Sequence, residues 1–214
     1  MAKRAFGGLI VALIIAGAVA WIYRSQSGPS FDLTPYNALG VGAAGETARL
    51  LGNTGEVVVI TPEANDRNPS FVSELDSFQK ALKKSGIVIA STVKFKLTRL
   101  EEIEAGGMVP RGQFLKALQS QAKIGAVVLF CGLPKLTAQD YDTVKQSGAK
   151  VIVVSAYQPD FPNLLKAHVI DMAIVPKLDQ AAATSQKTQT LRKLFESDYM
   201  VLTPDNIANL SERQ

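Results

Sequence analysis

Gly55-Glu56-Val57-Val58-Val59-Ile60-Thr61-Pro62 is a continuous apolar run held between turn-forming residues. It does not alternate, so a strand built from it must be covered on both faces, as in the interior of a parallel sheet. Further along, Ala126-Val127-Val128-Leu129-Phe130 and Val151-Ile152-Val153-Val154 repeat the pattern. The stretch from Ile87 to Leu97 differs. Its second half sets Val93, Phe95 and Leu97 against Lys94 and Lys96. Lysines on one face predict a half-exposed edge strand. Asp171 to Val175 predicts a fifth strand, and Met200-Val201-Leu202 a sixth.

Segments of helical period separate these runs. Pro69 and Ser70 open a helix with Phe71, Val72, Leu75, Phe78 and Leu82 on its expected inner face. Gly86 ends it, behind Lys83 and Lys84, which suit the negative end of a helix dipole. Gln113 to Lys123 predicts a second helix, with Phe114, Leu115 and Leu118 inward. Thr137 to Ser147 starts on a threonine cap and stops at Gly148. Pro162 to His168 predicts a short helix, and Ser185 to Glu196 a last one that turns Leu191, Leu194 and Phe195 to one side. Strand and helix in alternation define the α/β class. Right-handed crossovers then build a single doubly wound, Rossmann-like domain with strand order 2-1-3-4-5 and the lysine-bearing strand at its edge.

Upstream of the fold lies an uncharged run of nineteen residues, Ala5 to Tyr23, preceded by Lys3 and Arg4 and closed by Trp21, Tyr23 and Arg24. As a helix it would span roughly 28 Å, close to the hydrocarbon thickness of a bilayer. Basic residues before it and aromatics at its exit predict a signal anchor with the N-terminus inside. Ala18-Val19-Ala20 also fits a peptidase site, and cleavage after Ala20 would export the remainder equally. The expected organisation is a cytoplasmic tail (1–4), a transmembrane anchor (5–23), a tether with a short helix at Thr47 to Leu51 (24–54), and the α/β domain (55–214). The expected location is a bacterial inner membrane, crossed once, with the domain periplasmic or extracellular and the lipid bilayer as a partner through Ala5–Tyr23.

Composition narrows the function classes. The chain carries 23 basic and 19 acidic residues, and Lys3, Arg4 and Arg24 flank the apolar run, so the exported part is close to neutral. No basic field of the kind nucleic acid requires is present. Cys131 is the sole cysteine, so no internal disulfide can form, and a small buried apolar role is expected. His168 is the sole histidine, without the clustered carboxylates or thiols of a metal site. Ser155 lacks a Gly-x-Ser-x-Gly context and a base. No catalytic residue, metal or cofactor is expected, and the chain reads as a non-enzyme. Gly40-Val41-Gly42-Ala43-Ala44-Gly45 fits a dinucleotide fingerprint by letter, but no buried strand precedes it and barely two helical turns would follow, so it reads as a Gly/Ala connector.

The stretch from Val57 to Lys177 resembles one lobe of a type 1 periplasmic binding protein, the sugar-binding, LacI-like kind. The residues that carry the resemblance are Val57 to Pro62 with the following helix to Ile87, Ala126 to Pro134, Ala149 to Ser155 and Asp171 to Pro176. The resemblance implies a lobe that, in the family, closes on a ligand against a second lobe. About 37 residues follow Lys177 here, too few for a second lobe, so the family's two-lobe contacts do not carry over.

In an open parallel sheet ligands meet the carboxyl ends of the strands. That rim holds Thr61, Glu63, Asn65 and Asp66 after the first strand, and Ser155, Tyr157 and Asp160 after the fourth. These seven are the candidate ligand-binding residues. Two functions follow as expectations: an anchored, non-catalytic interaction domain serving as an accessory subunit of a membrane or envelope assembly, or a small-solute, sugar-like binder acting as a dimer of single lobes.

Overall fold

The computed structural model describes residues 32–98, 106, 108–119, 124–154, 158–177 and 190–207. A compact unit begins at Leu33. Among the described residues no helix is long and apolar enough to cross a membrane; the expected span Ala5–Tyr23 lies outside them.

Six strands form one sheet in the order β2-β1-β3-β4-β5-β6. They are β1 (Glu56–Pro62), β2 (Val88–Phe95), β3 (Ala126–Leu129), β4 (Lys150–Val154), β5 (Met172–Pro176) and β6 (Tyr199–Leu202). The first five pair in parallel, and β6 pairs antiparallel to β5. The order expected for strands one to five is the order found. The continuous runs occupy the centre: Val57, Val58, Val59 and Ile60 are wholly buried, as are Val127, Val128, Val151 and Ile152. β2 lies at the edge, with Phe95 buried and Lys94 half exposed.

Strand pleating sends alternate side chains to two cores. Val58, Ile60, Val127 and Val151 pack under α3 (Arg111–Gln119), α4 (Ala138–Ser147) and α5 (Phe161–Lys166) through Phe114, Val144, Phe161 and Leu165. Val57, Val59, Val128 and Ile152 pack under α1 (Thr34–Leu50), α2 (Pro69–Lys84) and α6 (Leu191–Asp198) through Ala43, Ala44, Phe78, Leu82 and Phe195. The sheet is therefore covered on both faces, as its unbroken apolar strands require.

The largest departure from the sequence reading is α1. Residues expected as tether and connector form a 17-residue helix running from Thr34 to Leu50. Three glycines in a helix interior cost about 1 kcal/mol each relative to Ala, so tertiary contact must hold this one. It does so through close approach. Gly40 meets the backbone of α2, where a Cβ would overlap the Glu74 carbonyl oxygen and lie 2.9 Å from the Phe78 nitrogen. Gly42 lies against the Phe195 ring of α6. Polar ties add to these contacts. Asn37 Oδ1 accepts from the Ser73 and Ser77 hydroxyls at 2.6 and 2.7 Å. Buried Glu46 receives Arg49 at 2.8 Å and Arg192 of α6 at 2.9 Å. Gly40 and Gly42 are packing residues, and the residues leading into them from Thr34 are helical.

Smaller differences follow from which side chain wins the inner face. On α2, Val72 is 41% exposed, while Ser70 and Glu74 are buried. The second predicted helix begins two residues earlier, at Arg111, and its expected end at Lys123 lies outside the described residues. The last helix is seen from Leu191 to Asp198; its expected start at Ser185 also lies outside them.

α4 shows how local chemistry sets an element boundary. Thr137 and Asp140 form a reciprocal capping box, and Gly148 ends the helix at φ +68°, where a side chain would be strained. Arg111 at the start of α3 grips the same carboxylate with two hydrogen bonds of 2.7 and 2.6 Å. The Arg111 guanidinium, and then the Thr137 amide, hold the Asp140 carboxyl well below the usual carboxylate range. Asp140→Ala should lower the melting temperature by several degrees. Because the folded value is depressed, this contribution is present above about pH 4 and is lost as the pH falls through the folded value. Melting temperatures of wild type and variant should therefore converge in strong acid; a gap that persists there would contradict the assignment.

Candidate functional site

The carboxyl ends of β1, β2 and β3 frame a cleft of about 770 Å³. Pro62 closes β1, and the chain turns through a short 3-10 helix, Glu63–Arg67. Asn68 then caps α2, its Oδ1 accepting from the Ser70 amide at 3.1 Å. This turn, held between Pro62 and Pro69, presents Glu63, Asn65, Asp66 and Arg67 to one wall. Phe95, Lys96 and Leu97 continue from β2 to form another, and Phe130 and Cys131 lie at the end of β3. Phe130 is fixed by edge-to-face contacts with Phe78 and Phe71, at centroid distances of 4.9 and 6.2 Å.

Asp66 is engaged by Lys94 at 2.7 Å, and both are substantially exposed. The pair positions the turn against β2 more than it stabilises the fold. Burial pushes the Cys131 thiol up to about 12, so the thiolate that nucleophilic chemistry needs is disfavoured. Thr61 sits at the end of β1 but is fully buried and does not line the cleft; its hydroxyl finds no hydrogen-bond partner among the described residues.

The rim expected as one site is thus divided. Glu63, Asn65 and Asp66 come together in the cleft. Asp160 lines a different cavity, of about 460 Å³, with Met108, Leu133, Lys135, Tyr141 and Gln158. Ser155 and Tyr157 lie outside the described residues. Arg67, Lys96, Phe95 and Phe130 belong to the cleft and were not singled out from sequence. Arg67 adjoins Asp66, and Phe95 is the inward member of the alternating strand, so both carried a signal. His168 follows Ala167, the C-cap of α5, in a left-handed conformation, φ +54°. Among the described residues no group of His, Cys, Asp and Glu could hold a metal ion.

No family model matches the chain, and no curated protein resembles it in sequence. Solved structures do match it in fold. A solute binding protein of an ABC transporter from Agrobacterium vitis, with bound allitol, superposes with TM-score 0.55 at 12% identity over 84% of this chain and 64% of its own. One from Bacillus halodurans, with bound myo-inositol, gives 0.53 at 17% identity over 83% and 61%. A sugar-binding protein of a sugar ABC transporter, also from Bacillus halodurans, gives 0.53 at 14% over 82% and 64%. The chain therefore has the α/β fold seen in sugar-transporter binding proteins, as the lobe resemblance implied. It spans less than two thirds of the length of these proteins.

Proposed function

We propose that this chain is a solute-binding lobe whose ligand is a small polyhydroxylated molecule held in the cleft at the ends of β1, β2 and β3. One observation carries the reading: a turn bearing Glu63, Asn65, Asp66 and Arg67 lines, together with Lys96 and Leu97, a cleft of about 770 Å³ that also reaches the buried Phe95 and Phe130. Amide and charged groups hydrogen-bond the hydroxyls of such a molecule, while apolar residues at the cleft accept its carbon skeleton. The solved proteins of the same fold that hold allitol and myo-inositol support this ligand class. They favour solute binding over the accessory-subunit reading.

In the proposed arrangement Ala5–Tyr23 anchors the chain in a bacterial inner membrane and the lobe acts on the outer side. A second copy supplies the facing wall. The test is a thermal-shift screen of pentoses, hexoses, hexitols and inositols on the full chain. A ligand at a hundredfold excess over its Kd adds about 2.7 kcal/mol, which raises the melting temperature of a domain this size by roughly 5–10 °C. Asn65→Ala and Arg67→Ala should each abolish the shift. A flat response across the whole screen would overturn the reading.

A further inference from the structure

A buried acid lies where α1 rests on α2. Glu74 is 9% exposed, and among the described residues its carboxyl makes no hydrogen bond and no ion pair. Tyr199 of β6 lies within range of its charge, as it does of Tyr36 on α1 and Asp198 at the end of α6. The other charged groups on the elements around it are placed elsewhere. Arg49 of α1 is held by Glu46, and Arg192 of α6 by Glu46 and Glu196. Lys80 of α2 lies with Asp76, and Lys94 of β2 with Asp66. Glu63, Arg67, Lys83, Lys84 and Lys193 are exposed. An ionised carboxylate in this position has neither water nor a counter-charge, so the closed arrangement holds it protonated. Burial raises its pKa to about 8.

α1 is lightly held. Of its eight buried residues four are Ala and two are Gly, so little apolar area fixes it to the rest of the unit. It shares no ladder hydrogen bond with the sheet, and it is the first described helix in the chain. Its close approach to α2 falls on Glu74 itself, where a Cβ on Gly40 would overlap the Glu74 carbonyl oxygen. We infer that Glu74 is a proton-controlled latch for α1. Protonated, it lets α1 lie against α2. Ionised, it is solvated only when α1 swings away, which uncovers Phe78 and Phe195 while the sheet stays paired. Between the ordinary carboxylate range and the buried value, the closed form keeps a proton that the open form gives up. Opening therefore grows as the pH rises through that window. The inference does not rest on what the cleft binds.

Amide hydrogen exchange of the full chain at pH 5, 6 and 7 tests it, with rates corrected for the intrinsic pH dependence of exchange. The opening equilibrium of α1 should rise about tenfold per pH unit, as release of one proton requires. At pH 7 the α1 amides should exchange at least about a hundredfold faster than those of β3 and β4, since the helix opens without the sheet. Glu74→Gln keeps the shape and cannot ionise, so its α1 opening should be the same at all three pH values. The inference is overturned if α1 opening in the wild type does not change with pH, if α1 exchanges no faster than β3 and β4, or if Glu74→Gln keeps the wild-type slope.

Discussion

Gly40→Ala should destabilise the compact unit by about 3 kcal/mol or more, at the upper end of what overpacking produces. Helix propensity alone points the other way, since Ala is favoured over Gly by about 1 kcal/mol in a helix interior. The close approach of α1 to α2 decides the sign. The added methyl would overlap the Glu74 carbonyl oxygen and come within 3.0 Å of Ser77 Cβ, and backbone inside a packed helix cannot yield as a side-chain tip can. Gly45 supplies the control within the same helix. The nearest atom to its added Cβ is the Arg192 guanidinium nitrogen at 3.3 Å, the far end of a flexible side chain. Gly45→Ala should be neutral or stabilising by up to about 1 kcal/mol. Urea denaturation of both variants reads the difference. Equal effects from the two would show that α1 does not rest on α2 as described.

The second large effect concerns Glu74. It lies between Phe71 and Phe78 on the buried face of α2, and burial raises its pKa from 4.5 to about 8. Burial is the cause of that rise, and burial first, then Glu74, push the nearby Tyr199 hydroxyl up to about 12. Between the unfolded and folded values of Glu74 the native state holds the proton and the unfolded state does not. Stability therefore falls as the pH rises through that window, by roughly 3–5 kcal/mol in total. Glu74→Gln keeps the shape and removes the charge. It should flatten the slope and leave the variant more stable than wild type at pH 9. Denaturation midpoints measured at pH 5, 7 and 9 test this; parallel profiles for the two proteins would sink it.

Both sites bear on what the amino-acid order reveals. The central strands were legible because Val57–Ile60, Ala126–Leu129 and Val151–Val154 cannot be solvated on either face. The edge was legible because Lys94 and Lys96 alternate with inward residues. α1 was not, because its buried face is built from glycine, alanine, Thr47 and Glu46, which carry almost no apolar periodicity. Contact through backbone leaves little trace in a hydropathy pattern. Glu74 was readable in principle, as a carboxylate three residues after Phe71 and four before Phe78. The turn Glu63–Asp66 stood out because polar residues follow a buried strand at its carboxyl end. The separation of Asp160 from that turn did not, since strand order places both on one rim, yet they line two different cavities.

The meeting of α1 with α6 also has a consequence for biosynthesis. Glu46 and Arg192 lie 146 positions apart, so α1, the first of the described helices, cannot complete its contacts until α6, the last of them, has been made. Until then the part of the sheet that Phe195 covers stays greasy and open, and long-range closure of this kind is slow and prone to aggregation. Chaperone dependence should therefore follow from chain connectivity, whatever the finished molecule binds.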